Sequence, residues 1–397
     1  MQFTFELSAP VIIMLCTAAL CVAFITLYYC PRVARIGRRN RADNLRASGL
    51  KVEYGEPLPE VSVVVYAQDQ AEQLSRLLPQ LLEQDYPSPF EVIVVNEGQS
   101  EATEEAVAPL VCRYRNLYLT YTPDGARNLS RKKLALTLGI KAARYPVVAI
   151  VDADTSVNSA RWLRIIGSHF LNPACEVVIG GTKWDAADDD MRGHGRRAFG
   201  AVSDMAIYLS AAIGGRPYRA SGHNLAYRKN LFFENKGFSR SLNLRYGDDD
   251  VFVSEITRGY NTEVELASDA VNTMHCHNPA RAYKEIKLRR MFTGRFISKR
   301  SRRMMGGVSS AMFWLWLASS VAAVAMGLPN LLPASAVLLL GVGLWVPVVL
   351  SWRGAMGVLS TRRLTYSIPW HVMARPLWTG YYSICSRRNR TRNYTWG

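Results

Sequence analysis

Two groups of carboxylates stand out as residues that could do chemistry. Asp152-Ala153-Asp154 follows the apolar run Pro146 to Val151, and Asp248-Asp249-Asp250 follows Tyr246-Gly247. Two acids at the tip of an apolar strand are costly to desolvate unless a cation offsets them. Alternation along an extended backbone would point Asp152 and Asp154 to one side. Hard oxygen ligands so placed suit Mg²⁺ or Mn²⁺, with phosphate oxygens and water completing the shell. A solvated loop with incidental acids would read the same way. In the second group, adjacent like charges raise the proton affinity of at least one carboxylate, which suits a general base. Acids at a helix N-terminus are the alternative, since Val251, Phe252, Ile256 and Thr257 continue on a helical face. His275-Cys276-His277 resembles a metal site, but no further ligands cluster nearby, and structural zinc takes four.

The elements that must position these groups follow from periodicity. Val61 to Ala67, Phe90 to Val95, Leu117 to Tyr121 and Pro146 to Val151 read as short buried strands. Between them lie helical patterns: Leu74, Leu77, Leu78, Leu81 and Leu82, then residues 101 to 110, then Arg131 to Ala143. Alternation of strand and helix predicts an α/β fold with a mainly parallel, doubly wound sheet. Ligands of such sheets bind beyond the carboxyl ends of the strands. Those ends carry Gln68-Asp69-Gln70, Asn96-Glu97 and Asp152-Ala153-Asp154.

Apolar runs flank this region. Ala9 to Cys30 carries no charge and is long enough to cross a bilayer, and Arg32, Arg35, Arg38, Arg39 and Arg41 follow it. A cleaved signal peptide would carry its charges before the run, so the anchor is expected to be retained. Val308 to Leu328 and Leu331 to Trp352 read as a hairpin joined at Pro329-Asn330, with Arg302 and Arg303 before it and Arg353, Arg362 and Arg363 after it. The positive-inside rule then places Pro31 to about Met304 in the cytoplasm, and in a bacterium that implies the inner membrane. The expected organisation is an anchor (1–30), a basic juxtamembrane linker (31–58), a catalytic domain (59–283), a basic interfacial segment (284–304), a membrane hairpin (305–352) and a basic tail (353–397). In that tail His371 and Arg375 interrupt the apolar residues, which favours an interfacial helix over a fourth span and leaves the Asn393-Tyr394-Thr395 sequon without meaning.

The net charge of +16 over 397 residues could suggest nucleic acid. The basic clusters are juxtamembrane instead, at Arg32 to Arg46, Lys284 to Arg303 and Arg387 to Arg392, where anionic headgroups meet them. No zinc-finger spacing or repeated Arg-aromatic pattern is present, so nucleic acid is not expected as a partner. Seven cysteines, three of them within the first apolar run and none in a Cys-x-x-Cys pair, do not make a disulfide framework.

In order, these motifs resemble the family 2 glycosyltransferases, whose fold is of the glycosyltransferase A type, over roughly residues 59 to 295. The opening VSVVVYAQDQ stands where the family has a strand ending in Asn-Glu, and Asn96-Glu97-Gly98-Gln99-Ser100 stands where it has Asp-Asp-Gly-Ser. The resemblance implies that Ala67, Asp69 and Glu97 hold the nucleoside, and both departures bear on the choice of base. Ser130-Arg131-Lys132-Lys133 is similar to a lysine-rich helix start near the diphosphate. Asp152 and Asp154 match the metal-binding Asp-x-Asp. Gly247-Asp248-Asp249-Asp250 resembles the motif whose final Asp activates the acceptor, here Asp249 beside Asp248. Processive synthases of the family carry Gln-x-x-Arg-Trp before a membrane hairpin; here Ile286-Lys287-Leu288-Arg289-Arg290 keeps only the Arg.

The resemblance thus implies an inverting transfer from a nucleotide-sugar donor, with Mg²⁺ or Mn²⁺ as cofactor, to a lipid-linked or glycan acceptor at the membrane. Arg289 and Arg290 suit a phosphate or headgroup on the acceptor side, and His223 lines that side or is an ordinary packed histidine. With three spans and no aromatic platform, one or a few transfers are expected rather than polymer export. A processive polysaccharide synthase and an inactive scaffold remain the alternatives.

Overall fold

The computed structural model describes residues 7–49, 57–123, 130–185, 192–242, 244–276, 278–297, 303–328 and 330–388. His277 and the 393–395 sequon lie outside them. Among the described residues ten strands appear: β1 (Val61–Ala67), β2 (Phe90–Asn96), β3 (Leu117–Tyr121), β4 (Val147–Asp152), β5 (Thr155–Ser156), β6 (Val177–Gly180), β7 (Thr182–Trp184), β8 (Leu225–Arg228), β9 (Thr262–Glu265) and β10 (Asn272–Met274). Seven form one sheet in the order β3-β2-β1-β4-β8-β6-β9. The β3-β2-β1-β4 half is parallel throughout, as the alternation of strand and helix requires. Beyond β4 the sheet is mixed, because β8 runs antiparallel to both β4 and β6. The periodicity of the sequence did not disclose that reversal.

β1 is apolar nearly throughout because both its faces are covered. Its residues divide between two cores by the period of two: Val64 faces one, and Val61, Val63 and Val65 face the other. The second core takes the five leucines of the helix Ala71–Leu82, each of which contributes about 1.5–3 kcal/mol on full burial. The first core does not end at the sheet. It runs through Phe199 of the helix His194–Ile213 to Trp352, Phe313 and Tyr29 of the membrane helices. Phe199 and Trp352 pack with ring centroids 4.7 Å apart, and the Trp352 indole N–H donates to the Tyr29 hydroxyl at 3.1 Å.

Among the described residues, three helices are long and apolar enough to cross a membrane: Ala9–Gly49, Arg303–Gly327 and Leu332–Leu359. The first differs from the anchor-plus-linker expectation. The basic stretch after Cys30 continues the span as a helix through Gly49, and several of its arginines dock onto the catalytic domain. Arg39 pairs with Glu263 at 3.1 Å, Arg46 pairs with buried Glu265, and Asn40 donates to the Leu266 carbonyl at 2.6 Å. This rod packs against the second hairpin helix where Gly37 faces Gly354; a Cβ at Gly37 would lie 3.5 Å from the Gly354 Cα, an ordinary contact. The second hairpin helix runs past Trp352 to Leu359 and is tied to β7 by a bridge between Ser360 and Trp184. The tail forms a helix, Ile368–Arg388, that buries Ile368, Val372 and Tyr382 while exposing Trp370, Leu377 and Ile384.

Candidate active site

The parallel half of the sheet delivers its strand tips to one edge, and the acids meet there. Asp152 is the last residue of β4, with Asp154 in the turn beyond it. The amide of Asp152 donates to the Gly222 carbonyl at 3.0 Å, which brings the segment before β8 alongside. Gly222 leaves room for the Asp152 carboxylate, since a Cβ there would fall 2.8 Å from Oδ2 and displace it. The next residue, His223, reaches Asp154, with Nε2 3.1 Å from Oδ1. One ligand atom each from Asp152, Asp154 and His223 lies within 4.8 Å of the others. His223 Nδ1 is 2.9 Å from Ser221 Oγ, so the hydroxyl can accept from Nδ1 when Nε2 gives its lone pair to a cation. Two carboxylates and an imidazole fit a divalent ion such as Mn²⁺. His223 therefore stands with Asp152 and Asp154. Burial favours neutral forms of both partners, but His223 outweighs it and holds Asp154 below the usual carboxylate range, and Asp154 holds His223 above the usual imidazole.

Lys132 joins the two acidic groups. It opens the helix Arg131–Ala142, capped by Ser130, and its ammonium lies 2.8 Å from Asp152 and 3.1 Å from Asp248. Burial would depress this lysine, yet Asp152 and Asp248 more than offset that and keep it charged. Arg289, from the helix Pro279–Thr293, closes the chain of charges by contacting Asp248 at 3.2 Å and Asp249 at 2.5 Å. Asp248 is thus fixed between two cations. Burial pushes its carboxyl up, but Lys132 and Arg289 outweigh this and hold it well below the usual range, so it is a poor proton acceptor.

Asp249 is the most open of the three acids, with a side chain 17% exposed against 4% for Asp248 and 3% for Asp250. Asp250 faces inward and has the helix-terminus role: its Oδ1 accepts from the Val251 amide at 2.8 Å, and Arg219 and Thr293 donate to its Oδ2. Gly247 makes the turn into this run with φ +117°. The helix-terminus reading of the triple-Asp run thus holds for Asp250, while Asp249 keeps the most open carboxylate.

Other expected site residues divide. Lys133 does not reach the strand tips. It is fully buried and donates to Ser241 Oγ (3.1 Å) and to the carbonyls of Ser241, Leu244 (3.1 Å) and Tyr246 (3.0 Å). Burial lowers its pKa to about 8, and its work is to fix the loop that leads to Asp248. Ala67 is fully enclosed at the end of β1 and offers a ligand no surface. Asp69 is exposed, in a left-handed turn at φ 50°. Glu97 sits at the tip of β2, where it accepts from the Tyr66 hydroxyl and lies 3.6 Å from Arg131. Arg289 is spent on the acids, whereas Arg290 turns to Asp204 at 3.5 Å. His275 bridges Ser156 Oγ and Asp185, both at 2.7 Å.

Asp204 was not singled out from the sequence. It is a lone acid within the helix His194–Ile213, and Lys287 (2.6 Å), Arg290 (3.5 Å) and Arg375 (3.8 Å) all surround it. A single carboxylate within the otherwise uncharged run Ala198 to Ile213 was the available signal.

The family model described as "Glycosyl transferase family 2" matches residues 62–265, just over half of the chain. Among curated proteins, "Glycosyltransferase AglE" of Haloferax volcanii is 29% identical over 128 residues, which span 32% of this chain and 40% of that protein. "Succinoglycan biosynthesis protein ExoO" of Rhizobium meliloti is 29% identical over 210 residues, 50% of this chain and 56% of that one. The matched stretches thus span about half the length of these relatives or less. Among solved structures, a mannosyltransferase of Pyrobaculum calidifontis in complex with GDP-Man and Mn²⁺ superposes with a TM-score of 0.56 at 17% identity, covering 95% of this chain and 99% of that one. The shared fold extends over the membrane helices as well as the sheet. On the family match over residues 62–265, the chain belongs to glycosyl transferase family 2.

Proposed function

We propose that this protein transfers a sugar from a nucleotide-sugar donor, with inversion, to a hydroxyl of a membrane-associated acceptor. The observation that carries this reading is the continuous chain Asp154–His223, Asp152–Lys132–Asp248–Arg289–Asp249, which links a cation-binding group to an accessible carboxylate. When bound, a divalent cation offsets the charge that develops on a departing nucleoside diphosphate. Asp152, Asp154 and His223 would hold it.

The protein's own groups account for the rest. Lys132 adds a fixed positive charge beside Asp152, where the diphosphate oxygens would lie. Arg289 holds Asp249 by Oδ1, which orients the carboxylate and leaves Oδ2 to take the proton of an acceptor hydroxyl. The acceptor oxygen then forms its bond to the anomeric carbon as the bond to the diphosphate oxygen breaks, and the electron pair leaves with the diphosphate. A single in-line displacement inverts the anomeric centre.

The exposed apolar face of the tail helix and the three apolar helices support a site held at a membrane surface, with the catalytic domain on the basic, cytoplasmic side. Ile286 and Arg290 stand where a polymer-gripping motif would have Gln and Trp, which favours one or a few transfers over export of a polymer. To test this, purified protein is incubated with labelled nucleotide sugars, Mn²⁺ and a membrane lipid extract, and the products are partitioned and sized. The reading expects label in the lipid phase with one or a few sugars added. A long polymer ladder, or label confined to free sugar with every extract, would refute it.

A further inference from the structure

A cavity of about 960 Å³ lies between the catalytic domain and the membrane helices. We infer that it is the site for the phosphate or diphosphate of a lipid-linked sugar acceptor, an inference that rests on the transfer reading above. Its lining combines two chemistries. Arg290, Arg303, Arg375 and Arg387 reach it from three separate elements, whereas Asp204 is the one carboxylate among the described lining residues. The start of the apolar helix Ser309–Gly327 also lines it, with Ala311 and Trp314.

The charge balance calls for an anion. Asp204 is already bound by Lys287 at 2.6 Å, and the longer contacts from Arg290 (3.5 Å) and Arg375 (3.8 Å) leave those guanidinium groups under-used. Buried Arg290 Nη1 and Arg375 Nε have no hydrogen-bond acceptor among the described residues. A buried, unsatisfied cationic donor is costly, and phosphate oxygens meet the planar guanidinium fork well. Surplus positive charge at the end of an apolar span, beside an indole that is 41% exposed, matches an amphiphile with a phosphorylated head and a hydrocarbon tail better than a free anion.

The cavity is also placed for the reaction. Arg290 lines it, and its neighbour Arg289 holds Asp248 and Asp249. Arg219 spans the gap, with Nη2 3.3 Å from Asp250 and 3.5 Å from the Arg290 carbonyl. A sugar carried on the phosphate would then project toward Asp249.

The test measures binding to the full-length protein in detergent, without donor, by native mass spectrometry and calorimetry. The probes are farnesyl diphosphate, farnesol, inorganic pyrophosphate and phosphatidylglycerol. Saturable, one-to-one binding of farnesyl diphosphate is expected, at least tenfold tighter than the other three. Arg375→Gln and Arg387→Gln should each weaken it about 10- to 100-fold, with partial recovery in Arg375→Lys. Melting temperature is followed in parallel, and Arg387, which is exposed, gives the variant least able to disturb folding. Equal binding of phosphatidylglycerol would mean a general headgroup contact and overturn the inference. Unchanged farnesyl diphosphate binding in a folded Arg387→Gln, Arg375→Gln double variant would overturn it as well. Donor turnover is measured on the same preparation: turnover without farnesyl diphosphate binding sinks the cavity assignment alone, and binding without turnover sinks the transfer reading alone.

Discussion

Replacing Asp249 by Asn changes one oxygen to an amide nitrogen and removes a proton acceptor while keeping the side chain's shape. Arg289 contacts Asp249 through Oδ1 at 2.5 Å, and the amide oxygen of Asn can accept that same bond, so the guanidinium should stay in place. Asp152, Lys132 and Asp248 do not touch the altered atom, and donor affinity should change by less than about threefold, under 1 kcal/mol. Turnover should fall about 100- to 10,000-fold, the usual worth of a general base, equivalent to about 2.7–5.5 kcal/mol in the barrier. Asp248→Asn should behave differently. It leaves Lys132 and Arg289, both half-buried, sharing a neutral partner, so the protein should melt earlier and bind donor more weakly. The assay pairs initial rates at saturating labelled donor with calorimetric donor binding in Mn²⁺ for both variants. If Asp249→Asn turns over within threefold of the parent, or Asp248→Asn loses only turnover, the assignment of the base to the open carboxylate is wrong.

Asp154→Asn should lose transfer and lose the Mn²⁺ dependence of donor binding, seen as a missing Mn²⁺-induced thermal shift; an undiminished shift would exclude Asp154 as a ligand. Lys133→Met removes the ammonium that fixes Ser241, Leu244 and Tyr246 and should destabilise the fold by about 1–3 kcal/mol for each buried carbonyl left unpaired, measured as a lower melting temperature and faster proteolysis near Leu244, whereas a diphosphate ligand would cost donor affinity at unchanged stability. Stability should also fall on acidification. Asp204 and Asp248 are buried, yet their cationic partners hold them below the ordinary carboxylate range, so the folded protein binds fewer protons than the unfolded chain. Their contribution is complete above the unfolded value of about 4 and is lost as pH falls through the lower folded values, so melting temperature should drop only below about pH 4.

The parallel half of the sheet was legible because β1, β2 and β4 are continuous apolar runs whose tips carry polar residues, a pattern that two-sided burial imposes. The spans were legible for a similar reason, since hydrocarbon tolerates no charge. The antiparallel β8 was not, because Leu225–Arg228 is four residues long and has no periodicity to read. Lys132 and Lys133 are adjacent and alike in sequence, but consecutive helical positions diverge by about 100°, which sends one to Asp152 and buries the other under a loop. The same divergence separates Arg289 from Arg290. His223 lies about 70 residues from Asp154 in the chain, and only the Gly222–Asp152 approach, a tertiary contact, brings them together.

The most direct test of the transfer reading is to follow purified protein by proton NMR with α-linked nucleotide sugars, Mn²⁺ and water as acceptor. The account predicts Mn²⁺-dependent release of nucleoside diphosphate, abolished by chelator, with the β anomer of the sugar appearing first and mutarotation following. Release of no nucleoside diphosphate from any donor, or first appearance of the α anomer, would contradict it.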